Sequence, residues 1–251
     1  MSETTFQFLL RLGDNALILS HRLSELCGKG PALEEDIALA NVALDLLGQA
    51  RLWLTYAGET EAAGRDEDAL AYLRNDRQFF NVLLVERPNG SYADTLMRQL
   101  HFDVWHSLAL EKLQGSKDSR VAAIAGKAAK EVSYHLRRSS DLVVRLGDGT
   151  DRSRTMMQAA AEALWPYTGE LFDVDAVDAV AIASGIGFDA AALREPWLAY
   201  LKDVFQEATL SLPPAKAWMQ SGGRQGRHTE QLSYLLAEMQ SLQRTFPAAQ
   251  W

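Results

Sequence analysis

The chain has 251 residues, a net charge of −8, 47% apolar residues and 23% charged ones. That length fills one large domain or two modest ones, and no break in composition divides it, so a single domain over residues 1–251 is expected. The negative balance argues against nucleic acid as a partner, the lone Cys27 excludes an internal disulfide, and no uninterrupted run of about eighteen apolar residues is present to span a membrane.

The opening Met1-Ser2-Glu3-Thr4-Thr5 lacks the basic stretch that begins a signal peptide. With alanine and leucine dominant, the expectation is a cytoplasmic, all-α protein. A first helix is expected over about 4–27, ended by Gly28 and the Gly30-Pro31 pair, with Asp14 on its apolar face. If Gly13 interrupts that helix, Asp14 is a local cap instead. The second, over about 32–57, places Glu34, Glu35 and Asp36 in its first turn, where carboxylates favour the helix dipole. Asn41, Asp45 and Gln49 recur every fourth residue in an otherwise apolar stretch. Such a polar line needs buried partners or forms an exposed strip.

Residues 58–91 are too long to be a simple turn between adjacent helices. They hold a short helical piece, Asp66 to Arg74, and the apolar run Phe79-Phe80-Asn81-Val82-Leu83-Leu84-Val85. That run reads as a small strand or as an extended arm, packed on the helices or covering a partner. A third helix over about 92–113 and a fourth over about 118–146 follow, the latter with His135 in the middle of its apolar stripe. Residues 150–251 form a C-terminal extension of further helices. In it, Ser221-Gly222-Gly223-Arg224-Gln225-Gly226-Arg227 reads as a mobile basic loop and Thr229 as the N-cap of the last helix.

Four long helices with a long second-to-third connection are the signature of a ferritin-like four-helix bundle. The chemistry to test is therefore a carboxylate-bridged pair of metal ions. Such a site takes one Glu from each of two helices and a Glu-x-x-His from each of the other two, because an acid and an imidazole three residues apart share a helix face. Here the first and third helices offer Asp14 and Asp103. The second offers Asp45 with Gly48 at the histidine position, and the fourth offers His135 with Val132 at the acid position. Four of six positions retain a donor, and all three acids are Asp, one methylene shorter than Glu. Three of the five histidines do lie within a helical turn of an acid, and Asp103-Val104-Trp105-His106 has the right spacing on the wrong helix. A rearranged site from Asp45, Asp103, His106, Glu131 and His135 is the alternative. The reading favoured here is that the acids pair with His135, Arg51, Lys130 or Arg138 and hold helices in register.

Several blocks, in order, resemble the PaaC-type subunits of phenylacetyl-CoA 1,2-epoxidases (phenylacetate-CoA oxygenases), in the ferritin-like di-iron monooxygenase superfamily. They are Arg11-Leu12-Gly13-Asp14-Asn15, Ile37-Ala38-Leu39-Ala40-Asn41, Leu44-Asp45-Leu46-Leu47-Gly48-Gln49-Ala50-Arg51, Leu83-Leu84-Val85-Glu86 with Pro88-Asn89-Gly90, Ala93-Asp94-Thr95, Lys130-Glu131 with Tyr134-His135-Leu136-Arg137, and Gly226-Arg227-His228-Thr229-Glu230 with Leu235-Leu236-Ala237-Glu238-Met239-Gln240. The resemblance runs from near the start of the chain to Trp251.

It implies a structural subunit of a bacterial monooxygenase in phenylacetate catabolism, without iron or another cofactor of its own. It also implies a paralogous catalytic subunit that carries the di-iron centre and inserts oxygen into the ring of phenylacetyl-CoA. A small bridging subunit and a reductase with NADPH, flavin and iron-sulfur complete the implied set of partners. The broken ligand set at Gly48 and Val132 agrees with a scaffold. The other hypothesis is a metal-dependent oxygenase or ferroxidase built on Asp103, His106, Glu131 and His135. Phe79 and Phe80 are candidate partner contacts, and Arg224, Arg227 and His228 are candidates for a CoA phosphate or a partner's acid.

Overall fold

The computed structural model describes residues 3–214 and 217–247, and within them every regular element is helical. The all-α expectation holds. Residues 3–24, 33–61, 92–113 and 119–147 form the four long helices, α1 (Glu3–Ser24), α2 (Leu33–Glu61), α4 (Tyr92–Leu113) and α5 (Ser119–Gly147), and the short α3 (Glu67–Tyr72) lies in the connection between α2 and α4. Further along come α6 (Asp151–Leu164), α7 (Ala176–Ser184), α8 (Arg194–Glu207), α9 (Glu230–Met239) and α10 (Ser241–Thr245). Two long pairs, α1–α2 and α4–α5, joined by residues 62–91, give the element order of a ferritin-like bundle.

The chain forms two compact units, Met1–Pro88 with Gly222–Trp251, and Asn89–Ser221. In the first, α1 packs along α2, and residues 13–20 of α1 are all buried. Gly13 is no interruption. A Cβ there would come within 2.8 Å of Leu54 Cδ2, so glycine is what lets the two helices approach. The turn between them is held by Asp36, whose Oδ1 accepts from the backbone N–H groups of Gly28 and Gly30, both at 2.9 Å. These bonds hold its carboxyl below the usual carboxylate range. The apolar run after α3 is not a strand, and after an extended start at Phe79 it turns at residues 83–86. Phe79, Val82, Leu83, Leu84 and Val85 are buried in irregular backbone, and Phe80 is half-buried.

In the second unit α4 packs against α5 and α6, and residues 95–106 are all buried. Ser91 and Asp94 cap its start reciprocally, with Ser91 N–H donating to Asp94 Oδ2 at 2.7 Å. Asp118 caps α5 through the N–H groups of Arg120 and Val121. His101 sits among Trp165, Trp197 and Phe205, and Trp197 donates its indole N–H to the His101 carbonyl at 2.9 Å. Pro196 lies in the first turn of α8, where a missing N–H costs nothing.

By length and composition α2 is the one helix among the described residues long and apolar enough to cross a membrane. Only 44% of that window is buried.

Candidate functional site

The three acids singled out by the ligand rule have three different fates. Asp14 is fully buried on α1, and both its oxygens are taken. Arg74, just past α3, donates to Oδ2 at 3.0 Å and to Oδ1 through its other terminal nitrogen, and the Phe80 N–H donates to Oδ2 at 2.8 Å. Arg74 is itself 2% exposed, reaches the Gln78 carbonyl at 2.7 Å and lies 4.1 Å from the centroid of the Phe79 ring. Next to it, Asn15 Oδ1 accepts the Val82 N–H at 2.8 Å. Asp14 and Asn15 thus hold the connector backbone at two points, two residues apart. The expected partners of the buried acids did not include Arg74. Arg51 pairs with Glu67 at 3.2 Å on the surface instead.

Asp45 and Gly48 do not face the core of α2. Both are half-buried, Asn41 is exposed, and the buried polar residue is Gln49. The reason is rotational. Four residues turn a helix by about 400°, so each step of the Asn41-Asp45-Gln49 line drifts by about 40° and carries it from solvent to interior. The helix packs inward through Val42, Leu46, Ala50 and Trp53.

Asp103 on α4 is fully buried and meets neutral donors: Gln99 Nε2 at 2.6 Å and Ser139 Oγ, from α5, at 2.8 Å. Burial pushes its carboxyl up to about 6, against the pull of His135, the two hydrogen bonds and Arg138. His135 and Val132 are buried on the same face of α5. His106 lies beside the rings of Phe102 and Trp105, and burial first, then His135, lowers its imidazole to about 3. Burial alone lowers His101 to about 3, so both rings are neutral. Glu131 is half-buried, and among the described residues no three His, Cys, Asp or Glu side chains come together as metal ligands. The rearranged Asp103/His106/Glu131/His135 set is thus not such a ligand group among the described residues, with Glu131 half-buried where Asp103, His106 and His135 are buried.

An iron pair does not fit these residues. One acid is saturated by a guanidinium and a backbone N–H, another by an amide and a hydroxyl, and Gly48 and Val132 offer no donor.

The basic loop is part buried, with Gly222, Gly223, Arg224 and Gly226 inside and Ser221, Gln225 and Arg227 exposed. Arg224 is buried and its carbonyl accepts from Arg11 Nη2 at 3.2 Å. Gly226 has φ +71°, and a Cβ there would run into the Arg77 carbonyl oxygen. His228 bridges Glu86 Oε2 at 2.7 Å and the Phe79 carbonyl at 2.8 Å. A carbonyl only accepts, so Nε2 carries a proton, and the Glu86 carboxylate favours a second on Nδ1. Burial opposes that charge, but the bonds to Glu86 and Phe79 outweigh it and raise the imidazole above its ordinary value. Thr229 does not cap α9 with its hydroxyl. Both its N–H and Oγ1 donate to Glu86 Oε1 at 2.8 Å. Phe79, Arg224 and His228 are thereby committed to the chain's own fold, and of the proposed contact residues Arg227 is exposed and Phe80 half-buried. Arg74, Glu86, Gln99 and Ser139 were missed from sequence. Only the last two left a signal, each four residues from a residue already singled out.

The full chain, residues 1–251, matches the family described as phenylacetic acid catabolic protein. It is 51% identical over 244 residues to a subunit of the 1,2-phenylacetyl-CoA epoxidase of Escherichia coli (strain K12), covering 97% of this chain and 98% of that protein.

Proposed function

Because the chain belongs to the phenylacetic acid catabolic protein family, we propose that it is a structural, non-catalytic subunit of a cytoplasmic bacterial monooxygenase that epoxidises the aromatic ring of phenylacetyl-CoA. It pairs with a paralogous catalytic subunit that holds the di-iron centre and the substrate. A small bridging subunit and a reductase supplying electrons from NADPH through flavin and iron-sulfur complete the assembly. The observation that carries this reading is the saturation of Asp14 by Arg74 and Phe80. A carboxylate whose two oxygens already accept from a buried guanidinium is a fold element, and removing either partner leaves a buried charge uncompensated. Likeness to a subunit of an epoxidase supplies the reaction class.

Such a subunit contributes rigidity. Asp14 on α1 is neutralised by Arg74, and the oxygens of Asp103 on α4 accept from Gln99 and Ser139, so both acids are held by side chains of their own unit. The test is to purify the chain alone with ferrous iron supplied, and again with its catalytic paralogue, and to measure iron and turnover in each. Iron and epoxidation that follow the paralogue are expected. Stoichiometric iron together with turnover in this chain alone would sink the reading. Within the complex, His106→Ala and His135→Ala are expected to lower activity only as far as they lower assembly.

A further inference from the structure

The second helix is apolar on both sides, and only one side is covered. Leu33, Ile37, Leu44 and Leu47 are 71%, 52%, 64% and 40% exposed, although α2 packs inward through a different set of residues. Successive steps of three, four and seven residues place these four, with Ala40, Gly48 and Arg51, on one stripe, and Leu33 to Leu47 spans about 21 Å of helix. Four large apolar side chains in one line differ from scattered surface leucines, which are ordinary. The stripe also has relief. A Cβ at Gly48 would meet nothing within 4 Å, so the helix surface dips there between Leu44 and Arg51. Beside it, α2 and α3 enclose a groove of about 540 Å³ lined by Leu17, Leu44, Leu47, Leu54, Ala71 and Tyr72.

The rim is mainly acidic. Asp66 at the N-cap of α3 is followed by Glu67 and Asp68, which line the groove together with the single cation Arg51, and Glu34 flanks the start of the stripe. Partial burial, then repulsion from Asp66 and Glu67, holds the Asp68 carboxyl above its usual range. The cation of the stripe, Arg51, is tied to Glu67.

We propose that this face of α2, with the α2–α3 groove, docks an apolar helix of a second, non-identical subunit whose leucine-type knobs are flanked by lysine or arginine. Complementary charge selects that occupant. A second copy of this chain would set one acidic rim against another, which costs specificity and association rate. An anionic lipid surface would be repelled by the same rim, and the stripe lacks the basic flank that interfacial helices use. The assignment rests on the reading above for the identity of the partner, the catalytic paralogue. The stripe and groove form the apolar centre of the interface, inside the roughly 800 Å² each partner gives to a contact of standard size.

The test uses the full-length chain and the purified catalytic paralogue of the same organism, with affinity measured by calorimetry. Three altered chains are compared: Leu44→Asp with Leu47→Asp, Gly48→Trp, and Asp68→Lys. The altered residues are exposed or have open space before them, and unchanged thermal melting confirms the fold. The apolar and Gly48 variants are expected to weaken pairing about a hundredfold, and Asp68→Lys about tenfold with a shallower salt dependence. Pairing of the wild-type chain that none of the variants alters would overturn the surface while leaving the proposed function standing. No pairing of the wild-type chain would overturn the proposed function and the surface with it. A homodimer in sedimentation that Leu44→Asp with Leu47→Asp dissolves, or flotation with phosphatidylglycerol vesicles, would reassign the face and overturn the proposal.

Discussion

Asp14 on α1 and Asp103 on α4 occupy comparable places, each the fully buried acid in the interior stretch of a nearly all-buried helix, yet they are neutralised in opposite ways. Asp14 receives a guanidinium, so its charge is met by charge. Asp103 receives an amide and a hydroxyl, which satisfy its oxygens while leaving much of the desolvation cost in place, and its carboxyl titrates near 6. A hydrogen-bonded acid is not by itself a compensated one. The first unit uses its acid as an anchor for the connector, and the second keeps its acid at an energetic disadvantage near neutral pH.

That contrast can be broken by substitution. Asp14→Ala strands Arg74 and releases the Phe80 N–H, and it is expected to cost about 3–5 kcal/mol in urea denaturation. A second change, Arg74→Met, should return part of the loss, since it removes the orphaned charge. Asp103→Asn should act with the opposite sign. A folded value near 6, above the ordinary 3.8, means the native state binds the proton more tightly, so wild-type stability falls as pH rises from about 4 through about 6. Above that window the asparagine form should be more stable by up to about 3 kcal/mol, and below about pH 4 the gain should vanish. Denaturation at pH 4, 5 and 8 reads this directly.

His228 sharpens the same point, because there a carboxylate is paired with an imidazolium. Its value is raised in the fold, so its contribution is complete below the ordinary 6.5 and is lost as pH climbs through the raised value. His228→Gln should cost about 1–3 kcal/mol at pH 6, less at alkaline pH, and should speed proteolysis between residues 222 and 230 at the acidic end. The smallest effect separates two glycines. Gly48→Ala meets open space and should stabilise by up to about 1 kcal/mol, whereas Gly13→Ala drives a Cβ into Leu54 and should destabilise.

The long helices were legible because their periodicity and caps are local. The expected spans 92–113 and 118–146 agree closely with Tyr92–Leu113 and Ser119–Gly147, and Ser91 and Asp118 sit where the caps belong. Asp103 and His135 were found for the same reason. Asp45 and Gly48 were misplaced because α2 carries large apolar residues on two sides, and a motif on such a helix does not reveal which side is covered. The Phe79–Val85 run announced burial without saying by what. Arg224 looked like surface because its partner, Arg11, lies at the other end of the sequence. The proposed docking feature accordingly moves from the connector, whose Phe79 is spent on the fold, to the outer leucines of α2, which helical periodicity alone would have put in a core.

The central claim is that Asp14, Asp103 and His135 serve the fold and not a metal. Thermal melting with increasing ferrous iron under anaerobic conditions tests it most directly, since any ligand bound by the native state raises the midpoint in proportion to the logarithm of its saturation. The account predicts no saturable rise for the wild-type chain and the same flat response for Asp103→Asn and His135→Gln. A saturable rise in the wild type that either substitution abolishes would contradict it.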